Sequence, residues 1–206
     1  MIFLFGERTR AAAVDAGQRD CVVCGHSTAF ETVSETNYFT VFGIPLLPIE
    51  KVAQYERCVT CGNSFAINSH EPSQVAATRQ VLAYILAGYG MTDQVGLAAE
   101  ICQKVCQADV SHDGMRELIR DFASGRADLF ELLREQAPLI NTAGKQQVIT
   151  AAFLAVHACC EMQYEDRLRI NLIGTALGMP LEFVQACIES VRSAGYLGVR
   201  RLTITH

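Results

Sequence analysis

Two C-x-x-C pairs, Cys21-Val22-Val23-Cys24 and Cys58-Val59-Thr60-Cys61, constrain this chain more than any other feature. Two residues between thiolates let one tight turn present both sulfurs to a single ion, and two such turns complete a tetrahedral four-thiolate site. Each second cysteine is followed by glycine, Gly25 and Gly62, which tolerates the positive φ that lets the turn curl back on the sulfur. A thioredoxin-like redox centre needs one such pair in a βαβ setting, so two pairs in a strand-rich segment point instead to a metal. Zinc is the expected ion and iron fits the same four thiolates. With Cys21, Cys24, Cys58 and Cys61 all bound, no coordination position stays open for substrate, so one structural ion is expected. His26 follows the first knuckle directly and reads as a bystander or a support for the ligands.

The stretch between the pairs, residues 25–57, is longer than the usual 15–20 and is strand-like. Phe30, Val33 and the run Tyr38-Phe39-Thr40-Val41-Phe42 are β-branched and aromatic. Gly43 and the prolines of Gly43-Ile44-Pro45-Leu46-Leu47-Pro48 predict a loop between strands. Met1-Ile2-Phe3-Leu4-Phe5 reads as a short strand ended by Gly6-Glu7-Arg8, too short and not basic enough for a signal peptide. From Pro72 the hydrophobic period changes to 3.6. Helices are expected over about 73–87, 93–108, 112–124, 126–137, 144–161, 165–177 and 180–194, with Thr92-Asp93 as a cap and Pro180 in the last helix's first turn. A short strand is expected at 199–205. The fold class is therefore α+β in two domains: a β-rich, metal-held domain over 1–70 and an all-α bundle of about seven helices over 71–206.

Composition narrows the function classes. Half the residues are apolar and the formal charge is −5. Residues 1–70 carry five Lys/Arg against seven Asp/Glu, and the remainder twelve against fifteen. Neither part has the cationic excess from which phosphate binding draws its affinity, which disfavours nucleic acid. No apolar run reaches the length that spans a bilayer. Nine cysteines without a secretion signal suggest a reducing, cytoplasmic setting. There is no Gly-x-Ser-x-Gly, Walker loop, dinucleotide fingerprint or His-Glu-x-x-His, so no enzymatic activity is expected.

Several elements in order, Gly6-x-Arg8-Thr9, Cys21-x-x-Cys24-Gly25, Tyr38-Phe39-Thr40, Ile44-Pro45-Leu46-x-Pro48 and Tyr55-x-x-Cys58-x-x-Cys61-Gly62, resemble the small bacterial zinc-ribbon family over about residues 1–68. The resemblance implies an interaction module at the head of a longer protein, with the four cysteines as zinc ligands.

The helical part repeats a layout. Ile101-Cys102-x-x-Val105-Cys106-x-Ala108-Asp109 ends a helix, Asp113-Gly114 opens a turn, and Met115-Arg116-Glu117-Leu118-Ile119 follows. Later, Phe153-Leu154-x-x-x-Ala158-Cys159-Cys160-Glu161 is succeeded by Glu165-Asp166 and by Leu168, Ile170 and Leu172. With Ile173-Gly174-x-Ala176-Leu177-Gly178-Met179-Pro180, this is similar to TerB-like domains over about 75–198. That resemblance implies a divalent cation or a partner at Asp109, Asp113, Glu117, Glu161, Glu165 and Asp166. Acids at helix starts also offset the helix dipole, which accounts for Asp113, Glu165 and Asp166 without any ligand. Cys102, Cys106, His157 and Cys160 can be drawn as a second metal site, though buried free cysteines commonly pack as core.

The leading expectation is a non-enzymatic adaptor or stress-response scaffold that docks to a protein or a membrane surface. Its contact residues would be Phe42, Ile44, Leu46 and Leu47, in the apolar stretch Val41–Ile49. Burial of that stretch on the β-domain or the helices would remove the idea. The alternative is a nucleic-acid regulator in which Leu172–Gly198 ends a winged helix and Arg192, Arg200 and Arg201 face phosphate. A third is an enzyme whose site carries no motif.

Overall fold

The structure is a computed structural model, and it describes residues 5–202. It has an antiparallel sheet followed by seven helices, an α+β architecture. The chain divides into two compact units, Met1–Pro72 with Pro138–Asn141, and Ser73–Ala137 with Thr142–His206.

In the first unit the strands are β1 (Phe5–Cys21), β2 (His26–Val41), β3 (Ile44–Cys58) and β4 (Ser64–Phe65), in sheet order β1-β2-β3-β4. These are far longer than the short strands the sequence suggests. Gly6-Glu7-Arg8 does not end a strand: β1 continues through it to Cys21, and Met1–Leu4 lie outside the described residues. Gly6 to Gln18 are all exposed, so β1 has no buried face and none of the alternation that reveals a strand in sequence.

The expected loop at 43–48 is also not a loop. Phe42 and Gly43 form the whole turn, both with positive φ, and β3 starts at Ile44. Pro45 and Pro48 sit within β3, opposite Thr40 and Tyr38. They are tolerated there because, among the described residues, β3 pairs only with β2 along this stretch; β4 pairs with Glu56 and Arg57. The pairing shifts register three times, leaving Leu46, Ile49 and Val52 without an opposite residue on β2.

The core of this unit lies toward the cysteine end. Phe30 and Phe65 pack edge to face, 5.4 Å between centroids, among the cysteines. Val33, Ala53 and Tyr55 form a second cluster, and the Tyr55 hydroxyl donates to Glu35 at 2.7 Å.

The second unit contains α1 (Ser73–Gly88), α2 (Val95–Cys106), α3 (His112–Ala123), α4 (Leu129–Gln136), α5 (Thr142–Cys159), α6 (Tyr164–Ala176) and α7 (Leu181–Ser193). α1 and α5 pack against each other and bury side chains on nearly every face. Ser111 and Asp128 cap α3 and α4 through backbone N–H groups of the first turn. α2 starts after Gln94, so Thr92-Asp93 lie in a turn before it, and Pro180 is the cap of α7 rather than its first residue. No strand forms over Val199–Leu202; the rest of the expected tail strand lies outside the described residues.

Gly174 marks a close approach of α6 to α7 and α5. A Cβ on it would overlap Cγ2 of Val184 on α7 and touch Cδ1 of Ile149 on α5. Gly174→Ala is expected to cost about 3 kcal/mol through overpacking, read as a lowered melting temperature, with Val184→Ala recovering part of the loss. An alanine variant that melts like the wild type would contradict this packing.

Candidate metal centre

The metal end of the sheet is built by two turns of the same design. The first, Val22–Gly25, joins β1 to β2, and the Gly25 N–H donates to the Cys21 carbonyl at 2.8 Å. The second follows β3, and the Gly62 N–H donates to the Cys58 carbonyl at 2.9 Å. Both glycines have the positive φ that the turn requires, 72° and 74°. A crosslink from the Val59 N–H to the Ala29 carbonyl, 3.0 Å, ties the second turn to β2.

These turns bring the four sulfurs together, all within 4.8 Å of one another. Cys21 Sγ is 3.8 Å from Cys61 Sγ, and Cys24 Sγ is 3.7 Å from Cys58 Sγ. A tetrahedron with metal–sulfur bonds of about 2.3 Å has edges of about 3.8 Å, so the spacing fits zinc. Cys21 and Cys58 are buried, and Cys24 and Cys61 are half-buried at the rim.

Thiol acidity shows what the cluster lacks on its own. Burial raises the Cys21 thiol, and burial plus the neighbouring thiols push Cys24 up to about 12. Burial opposes ionisation of Cys58 too, but the N–H groups of Cys61 and Thr60 and the adjacent thiols bring it down to about 7. The turns favour one thiolate and the crowding resists the rest, a conflict that a dication resolves.

Residues 19–115 match the model of a zinc-ribbon family. The matched stretch covers all four cysteines and continues through α1 and α2 into α3. It supports one structural zinc ion held by Cys21, Cys24, Cys58 and Cys61. Neither the curated proteins nor the solved structures contain a match to the chain.

Several supports of this centre have no sequence signature. Arg19 lies 4.0 Å over the Phe30 ring and pairs with Glu56 at 2.6 Å, closing the apolar side of the site. The Thr28 and Thr60 hydroxyls meet at 2.6 Å beside Cys58. Asn141 donates from Nδ2 to the Gly62 carbonyl at 2.7 Å and from its backbone to Ser64 Oγ at 3.1 Å. It is 79 residues from Gly62 in sequence, so no local pattern could reveal it. His26 Nδ1 lies 2.9 Å from the Cys24 carbonyl and is exposed, a support of the first turn and not a fifth ligand.

The other candidate residues are not gathered. Among the described residues the four cysteines are the only group of three or more His, Cys, Asp or Glu side chains placed to share an ion. Asp109 and Glu161 lie in exposed turns, and Glu117 and Glu165 are exposed on α3 and α6. Asp113 is exposed and paired with Arg116 at 2.7 Å. Asp166 is buried and serves its own helix: it accepts from the Gln163 N–H at 2.9 Å and from the Tyr89 hydroxyl. Cys102 and Cys106 are buried, Cys106 against the Thr78 hydroxyl, whereas Cys160 contacts Tyr89 and Asp166. Phe42, Ile44, Leu46 and Leu47 are all exposed at the opposite end of the sheet from the cysteines. No helix among the described residues is long and apolar enough to cross a membrane.

Proposed function

We propose that the chain is a non-enzymatic, cytoplasmic adaptor whose zinc ion stiffens a long hairpin that docks through its far, apolar end. One observation carries this reading. Leu46 and Leu47 are 55 % and 65 % exposed, on strands whose packed clusters lie nearer the metal. Apolar side chains gathered in solvent mark contact surfaces. The closed tetrahedron supports a structural role for the metal, and a second docking face on the helices rests on the sequence resemblance to TerB-like domains alone. A nucleic-acid role draws little support: Arg192 is tied to Glu189 at 2.7 Å and lies over Phe153. Two clefts in the helical unit, of about 320 Å³ beside Glu100, Arg200 and Arg201 and about 240 Å³ beside Tyr84, Phe122 and Arg169, present no nucleophile with a base beside it.

The test is retention from the host's lysate, membranes included, on the immobilised full chain. The wild type is expected to retain material that Leu46→Asp/Leu47→Asp does not, with zinc content unchanged. Equal retention by both would overturn the docking role.

A further inference from the structure

The pattern of charge along the β2–β3 hairpin identifies what its end can meet. Tyr38 to Ile49 is an unbroken run without a charged residue. In the paired strands it spans the rungs Val41↔Ile44, Thr40↔Pro45, Phe39↔Leu47 and Tyr38↔Pro48. At about 3.3 Å per residue that is a zone roughly 10 Å deep. Ile44, Leu46, Leu47 and Ile49 within it are each at least half exposed. A charged collar closes it: on β1 Glu7 and Arg8 flank its two rearmost rungs, opposite Phe39 and Tyr38, and behind them stand Glu50 opposite Asn37 and both Lys51 and Arg10 opposite Thr36.

The collar gathers three of the five cations in residues 1–70. The other two, Arg19 and Arg57, are spent in ion pairs with Glu56 and Glu31 nearer the metal. An acidic unit thus carries a small cationic excess only where its uncharged end begins. An apolar zone about 5–10 Å deep, a tyrosine at its margin and cations behind it match the layered polarity of a lipid surface.

The backbone argues against the obvious rival, a partner strand added to the sheet edge. Along this stretch β3 lacks two N–H donors, at Pro45 and Pro48, and its pairing with β2 is interrupted by register shifts. Prolines and bulges are the devices that stop strand addition. The same missing donors reduce the cost of taking that strand out of water.

We propose that the end of the β2–β3 hairpin inserts into the interface of a lipid bilayer, with Ile44, Leu46 and Leu47 in the apolar layer and Arg8, Arg10 and Lys51 at headgroup depth. This rests on the docking role above and names its occupant.

The zinc-bound full chain would be floated with phosphatidylcholine vesicles with and without phosphatidylglycerol. It is expected to rise with both, and more strongly with the anionic ones. Leu46→Asp/Leu47→Asp should lower partitioning by about 30-fold or more. Arg8→Gln/Arg10→Gln should lose about 5-fold or more, on anionic vesicles alone. The chain has no tryptophan, so Leu47→Trp supplies a sole reporter whose emission should shift to the blue on vesicles. Wild type that stays below the vesicles, unchanged Leu47→Trp emission, or aspartate variants that float as well would each overturn the lipid assignment. If vesicles fail while lysate retention still separates wild type from Leu46→Asp/Leu47→Asp, the occupant is a protein and the docking role stands. If that difference is also missing, both fall.

Discussion

Stripping the metal from this chain should unfold the sheet unit and leave the helices standing. The unit's packed residues are few, and half of one cluster consists of the ligands Cys21 and Cys58 themselves, with Phe30 and Phe65 leaning on them. Removing the ion leaves four crowded sulfurs with nothing to bind them together, and burial opposes ionisation of Cys21, Cys24 and Cys58. Zinc held by four thiolates contributes on the order of 10 kcal/mol to small domains of this kind, more than such a core can replace. With chelator present, trypsin should cut after Arg8, Arg10, Arg19, Lys51 and Arg57, and helical circular dichroism should persist. Cys58→Ser should behave like the chelated protein, since Cys58 is fully buried in the cluster. Metal analysis of the intact chain should find one zinc per chain and no visible iron absorption. Acid should act as chelator does, because protons compete with the ion for the thiolates, so the loss comes as pH falls. A proteolytic pattern indifferent to chelator would refute the structural role.

How much of this was legible in the sequence depends on how local the cause was. The cysteine turns were legible because a C-x-x-C-G turn contains its own geometry: spacing, ligands and the positive-φ glycine lie within five residues. The helical order was legible because glycines and prolines punctuate it and a 3.6 period is hard to mimic. The long strands were not. β1 is exposed on both faces and so carries no alternation, and Pro45 and Pro48 look like breakers unless the free edge of β3 is known. Arg19, Thr28, Thr60 and Asn141 reach the metal centre through contacts set by the fold, for which sequence spacing holds no signal. Asp166 stands out in the sequence as an acid near a helix start, and it lies in the first turn of α6. What occupies its oxygens could not be read, because Tyr89 is 77 residues away.

Asp166 is where a stability reading and a ligand reading of the same residue part company. Burial alone would push its carboxyl up. The Tyr89 hydroxyl, the Gln163 N–H, the Cys160 thiol and nearby Arg169 outweigh burial and hold it below the usual carboxylate range. Its oxygens are therefore committed to the cap of α6 and to Tyr89, just past the end of α1. Asp166→Ala would leave the Tyr89 hydroxyl and the Gln163 N–H without their acceptor, at an expected cost of about 3 kcal/mol. Tyr89→Phe should cost about 1 kcal/mol, and the double variant less than the sum because the two share one bond. A lowered carboxyl contributes stability above its unfolded value of about 3.9 and loses it as pH falls further. Asp166→Asn should accordingly flatten the acid limb of the melting profile below about pH 4. Tyr89, pushed up by burial and by Asp166, contributes below about pH 10 and loses that contribution as pH rises. Glu165→Ala, on an exposed neighbour, should leave the stability within about 0.5 kcal/mol of wild type. The opposite pattern, with Asp166→Ala melting normally but abolishing stabilisation by added calcium or magnesium, would return this carboxylate to the cation role that the resemblance to TerB-like domains implies.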